Sequence, residues 1–163
     1  MIKINYKSIL PSTLLVLIIF FIDRISKIYV LDLLQQDITE VYLTPYLNIY
    51  FIWNKGIAFG LLSFNEDYTY NAMTALIGII IIVIIAMVVK SKALKKYSLI
   101  VLLGGALGNF FDRIYYSAVP DFIDLHIKEF HWFIFNFADV FITIGVIGLI
   151  FDEFLYNIHK NEK

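Results

Sequence analysis

Cysteine is absent from the 163-residue chain, which excludes disulfides, thiolate nucleophiles and every cysteine-containing zinc motif together. Histidine is scarce. His126, His131 and His159 show no His-Glu-x-x-His spacing, so all three read as ordinary interface or surface residues, and neither a metal nor another cofactor is expected. Excess charge of either sign is also missing, since 13 basic and 14 acidic residues leave a net charge of −1. No basic surface able to neutralise a phosphate backbone follows from that balance, and nucleic acid is not an expected partner. There is no internal repeat and no low-complexity linker apart from one isoleucine-rich run.

What the chain has in abundance is apolar character. A hydrophobic content of 60% and a mean hydropathy of +0.78 are too high for a soluble domain of this length and indicate a single membrane-embedded domain. Lys3 and Lys7 precede an apolar run that resembles a signal peptide, but no small-x-small cleavage site follows it. Asp23-Arg24-Ile25-Ser26-Lys27 interrupts the run and Ile28 to Leu34 resumes it, so a retained helix over about 9–34 is expected. Ala72 to Val89 gives eighteen uncharged residues, seven of them isoleucine, close to the roughly 20 that cross the hydrocarbon. Further spans are expected over about 94–113, with Gly104, Gly105 and Gly108 as small packing residues, and over about 136–156.

Two outer loops, about 35–71 and 114–135, separate these spans. In the first, Val41 to Leu43 and Leu47 to Trp53 are β-prone and flank Thr44-Pro45-Tyr46, which predicts a small β element in an otherwise all-α membrane protein. Asn54-Lys55-Gly56-Ile57-Ala58-Phe59-Gly60 then reads as a shaped turn. Lysines near both termini and in the loop from Lys90 to Lys96 fall on one side of the four spans, which by the positive-inside rule makes both termini cytoplasmic.

Candidate chemistry centres on Asp121 and Asp139. Asp139 stands at the mouth of the last span, where ionisation in hydrocarbon is costly. Taken alone, Asp139 is better accounted for by helix capping, with Asn136 as N-cap and Asp139 at N3, and it is the second carboxylate that shifts the balance. Asp121 lies in the loop leading into the same helix, and two carboxylates brought together can share a proton and activate water. Asp23 and Lys27 are four apart in the favourable order for an ion pair, either structural or supporting a site. The adjacent Ser26 and Lys27 point about 100° apart on a helix and do not suit a nucleophile and base. Asp112 beside Arg113 reads as simple neutralisation.

Asp23 with Ser26-Lys27, Asn54-x-Gly56-x-Ala58-Phe59-Gly60, Gly104-Gly105-Ala106-x-Gly108-Asn109-x-x-Asp112-Arg113, Asp121-Phe122 and Asn136-x-Ala138-Asp139 occur in this order, and together they resemble lipoprotein signal peptidase, the signal peptidase II family. The resemblance covers nearly the whole chain. It implies a bacterial aspartic membrane protease, with Asp121 and Asp139 as the catalytic pair. Asn54, Gly56, Asn109, Arg113 and Asn136 are implied around the site, with Asp23 and Lys27 in support. The implied substrates are diacylglyceryl-modified prolipoproteins, cleaved before the lipidated cysteine at the outer face of the inner membrane, with membrane lipids as surroundings. Pro120 and Phe141 depart from the family, which more often has an aliphatic residue and a smaller side chain there. The rival from another class is a small proton-coupled transporter using the same carboxylates, whose site would be expected nearer the midplane. A structural or chaperone-like membrane protein, with its polar residues only holding helices together, is a third reading.

Overall fold

The computed structural model describes residues 9–56, 67–128 and 130–161. Lys3, Lys7, the Ala58-Phe59-Gly60 part of the predicted turn, Glu129 and Lys163 lie outside them. The elements in chain order are α1 (Ile9–Gln35), β1 (Glu40–Thr44), β2 (Leu47–Asn54), α2 (Asp67–Lys90), α3 (Ala93–Tyr116), β3 (Val119–Ile127), β4 (Phe130–Phe135) and α4 (Phe137–Asn161). The four strands form one antiparallel sheet in the order β1-β2-β3-β4.

Helices stand where the apolar runs predict them, each extended beyond the run that signals it. The basic loop is far shorter than the charge pattern suggests, because only Ser91 and Lys92 separate α2 from α3. The larger difference lies in the second outer loop, where the sequence reading places no strand. It holds two strands and supplies half of the sheet. Pro120, Asp121 and Asp124 are poor strand formers and interrupt any alternation in β3. Pairing with both β2 and β4 overrides that local preference.

Helix α3 is the centre of the bundle and packs against each of the other three. Its contacts with α4 and α1 depend on glycine: a Cβ at Gly105 would come within 2.5 Å of the Ala138 carbonyl of α4, and one at Gly108 would run into the Asp23 carboxylate of α1. Ile81 and Ile84 of α2 pack with Leu99 and Leu103 of α3 in the apolar half of the bundle. Gly145 and Gly148 of α4 meet Leu102 and Ser98 of α3, so the two helices run antiparallel. The start of α1, the end of α2 and the start of α3 therefore lie at one end of the bundle, and the sheet lies at the other.

Polarity is inverted relative to a water-soluble bundle. On α1, Asp23 and Lys27 have no exposed surface while Ile25 is 67% exposed and Phe21 54%. Charges inside and isoleucine outside is an arrangement suited to lipid as the surrounding solvent. Among the described residues only Tyr68–Lys90 is apolar and long enough to qualify as a span by composition. The other three helices carry charged residues within their length, and Asp23, Arg24 and Lys27 of α1 with Asp112 and Arg113 of α3 are buried.

Candidate active site

Helix α3 ends at Tyr116, and Ser117 in the left-handed region (φ 54°) turns the chain into β3. Strand β4 in turn leads through Asn136 into α4. Asp121 on β3 and Asp139 in the first turn of α4 thus meet at the junction of sheet and bundle, both buried.

Asn136 joins them. Its Nδ2 donates to Asp121 Oδ1 at 2.6 Å, while its Oδ1 accepts from the Asp139 backbone N–H at 3.1 Å. The Asn136 N–H in turn donates to Asp139 Oδ2 at 3.2 Å. This is the reciprocal capping pattern, so capping and site building are one arrangement rather than alternatives. Asn54 at the end of β2 donates from Nδ2 to Asp121 Oδ2 at 2.8 Å, and its Oδ1 accepts from the Gly56 N–H at 2.7 Å. Asn109 on α3 donates from Nδ2 to Asp139 Oδ1 at 2.7 Å.

Beneath the pair lies a charged cluster. Lys27 Nζ, fully buried, donates to Asp23 at 2.9 Å, to Asn109 Oδ1 at 2.9 Å and to Asp112 Oδ2 at 2.6 Å. An ammonium has three donors, so its capacity is filled. By accepting from Lys27, the Asn109 oxygen leaves its amide nitrogen aimed at Asp139. Asp23 uses its other side to accept from the Ala138 N–H at 3.0 Å. Asp112 pairs with Arg24 and Lys27 rather than with its neighbour Arg113, against the simple neutralisation read from the sequence. Arg113 instead donates to backbone carbonyls, to Asn109 at 3.1 Å and Gly56 at 3.0 Å, and so ties the turn after β2 to α3. Ser26 bonds the Asp23 carbonyl and takes no part in the cluster.

Burial pushes the Asp121 carboxyl up from 3.8 to about 7, and the nearby Asp139 adds to the rise. Hydrogen bonds from Asn54 and Asn136, with the more distant Lys27 charge, oppose it without cancelling it. A carboxyl with that value can hold or release its proton near neutral pH.

Comparison with known proteins decides the family. The family model described as Signal peptidase (SPase) II matches residues 15–155. The chain belongs to the signal peptidase II family. It is an aspartic peptidase that cleaves signal peptides from prolipoproteins, and it is a bacterial membrane enzyme. It is similar to the lipoprotein signal peptidase of Pelagibacter ubique (strain HTCC1062), 51% identical across 99% of this chain and 98% of that protein. The lipoprotein signal peptidase of Anaplasma marginale (strain Florida) is 37% identical across 93% of this chain and 88% of that one. A bacterial membrane enzyme solved by the in meso method matches in structure with a TM-score of 0.75 and 29% identity, covering 100% of this chain and 96% of the other.

All nine residues singled out in the sequence, Asp23, Lys27, Asn54, Gly56, Asn109, Arg113, Asp121, Asn136 and Asp139, fall in this one connected network. Sequence reasoning passed over Arg24 and Asp112 as members. The signal was present: polar residues three and four apart on two otherwise apolar helices form stripes that must face each other. Histidine is a second correction. His126 is buried, not a surface residue, and it lies beside His131 and Asp124. Pro120 is buried in β3 opposite Trp53, and Phe141 is half-buried on α4.

Proposed function

We propose that Asp121 and Asp139 are the catalytic pair of this peptidase, acting on a scissile peptide held at the junction of sheet and bundle. The observation that carries the reading is the double role of Asn136, hydrogen-bonded to both aspartates. Charge balance supports it. The buried network contains Asp23, Asp112, Asp121 and Asp139 against Arg24, Lys27 and Arg113, so an electrically neutral site retains one proton. In the reaction the ionised carboxylate takes a proton from water as the oxygen attacks the scissile carbonyl carbon. The protonated carboxyl keeps its proton and donates a hydrogen bond to the carbonyl oxygen as that oxygen becomes an oxyanion. Collapse of the tetrahedral adduct breaks the C–N bond, and a carboxyl proton goes to the leaving amine. The pair titrates as a unit. Asn54, Asn109 and Asn136 orient the carboxylates, and the Asp23–Lys27–Asp112 cluster fixes the helices that carry them.

Membrane placement is part of the same proposal. The chain is one domain of four spans, with both termini and the lysine-rich α2–α3 connection on the cytoplasmic side of the inner membrane and the sheet outside. The distribution of lysines and the apolar outward faces of the helices support it. The substrate is a prolipoprotein whose lipobox cysteine already carries a diacylglyceryl group, cut just before that cysteine. Each buried acyl CH₂ contributes about 0.8 kcal/mol, so lipid recruits the peptide and sets the depth of its scissile bond. The described residues of the site all come from one chain, which is compatible with a monomer. Purified protein incubated with lipid-modified prolipoprotein should release the signal peptide, and Asp139→Asn should not. Unmodified prolipoprotein should turn over slowly even at saturation; equal turnover numbers for the two substrates would reduce the lipid to a tether.

A further inference from the structure

The β3–β4 hairpin holds a second cluster of chemically capable side chains, apart from the aspartate pair. Asp124 and His126 are on β3 and His131 is on β4, with His126 and His131 directly paired across the two strands. Their ligating atoms all lie within 4.8 Å of one another. His131 Nδ1 is 2.9 Å and His126 Nδ1 is 3.4 Å from the same Asp124 oxygen, and the two imidazoles stack with centroids 5.2 Å apart. We propose that Asp124, His126 and His131 bind a divalent transition-metal ion of the zinc class.

The spacing fits. Zinc bonds of about 2.0–2.1 Å to nitrogen and oxygen put tetrahedral ligand atoms roughly 3.3 Å apart, and the two Asp124–imidazole separations fall on either side of that length. The remaining separation closes by a movement of His131, whose side chain is 54% exposed and whose Nδ1 lies 3.0 and 2.9 Å from the two Asp124 oxygens. Two imidazoles and one carboxylate suit zinc, copper or nickel, whereas magnesium and calcium favour all-oxygen sets. Three protein ligands leave a coordination position for water.

A second, independent observation points to a ligand. His126 is 8% exposed, yet its Nδ1, which faces the cluster, makes no hydrogen bond. The 3.4 Å approach to Asp124 is an ion-pair distance without hydrogen-bond geometry. Asn48, paired with Asp124 across β2 and β3, likewise has a buried Oδ1 with no partner. Leaving such atoms unsatisfied costs about 1–3 kcal/mol each. A metal ion would occupy the first, and its bound water gives the second a donor. The ion would tie β3 to β4 within a few residues of Asp121, which rides on β3.

The test uses full-length protein in detergent with any affinity tag removed, stripped with EDTA and re-equilibrated with zinc chloride. After gel filtration the wild type should retain roughly one zinc per chain by elemental analysis, and cobalt should give the intense visible bands of a four-coordinate site. His131→Ala, at an exposed position that tolerates truncation, should lose the retained zinc and the cobalt bands while keeping the wild-type circular dichroism. Asp124→Asn should do the same. His159→Ala, far along α4, should bind as wild type, and excess magnesium should not compete. No zinc retained by the wild type would overturn the proposal, leaving a His–Asp ion pair only. Equal zinc retention by His131→Ala would overturn it too, since the metal would then sit elsewhere.

Discussion

Asn136 donates to Asp121 across 2.6 Å, the shortest of the hydrogen bonds around the two aspartates. One amide caps α4, orients the Asp139 backbone and holds the carboxylate of a different element. Asn136→Ala should therefore lower turnover of lipidated substrate by about 10²-fold or more, the cost of losing one preorganised polar contact in a dry site. The substrate concentration for half-saturation should change little. A variant with wild-type turnover would mean that the aspartates find each other without it.

The raised value of Asp121 gives the pH dependence a definite sign. Cleavage should decline as pH rises through about 7, where the shared proton is lost. Asn54→Ala removes a donor that favours the charged carboxylate, so the alkaline limb of the turnover profile should move to higher pH. A limb that stays in place would separate Asp121 from the proton that catalysis uses.

Stability should follow the same titration. Native Asp121 titrates above its ordinary 3.8, so below both values the group is protonated folded or unfolded and costs nothing. Between 3.8 and about 7 the native state holds a proton that the unfolded chain has released, and the cost of a buried charge grows to its full size above that window. The melting temperature of Asp121→Asn minus that of wild type should accordingly be greater at about pH 8 than at about pH 5. A difference independent of pH would contradict the assignment.

Lys27→Met should destabilise the protein by about 3–5 kcal/mol, since it leaves Asp23 and Asp112 short of a buried cation. Adding Asp23→Asn should recover part of that loss, because the two residues act as one unit. Thermal unfolding in detergent reads both, and strict additivity would show that the ion pair is not coupled.

Arg113 bonds the Gly56 and Asn109 carbonyls and neither aspartate. Arg113→Ala should loosen the turn after β2 and slow processing by about 10-fold or more through misplacement, and the loss of one of the three buried cations should move the alkaline limb to higher pH. A limb that stays in place would take Arg113 out of the charge balance of the pair.

Sequence alone determined the environment and the chemistry. Apolar runs of helical length, a cysteine count of zero, near-neutral charge and isolated Asp, Asn, Lys and Arg in apolar helices leave few options, because an ionisable residue in lipid needs a partner. Only the tertiary structure decided who the partners are. Lys27 and Asp112 are 85 residues apart, and no spacing rule connects residues on different helices. It also decided the strands of the second loop, where pairing with neighbours outweighs the poor β-propensity of Pro120 and Asp121. The gathering of Asp124, His126 and His131 has the same origin: the pairing of β3 with β4 places His131 opposite His126, and register across paired strands is set by hydrogen bonding rather than by any pattern that the separate residues carry.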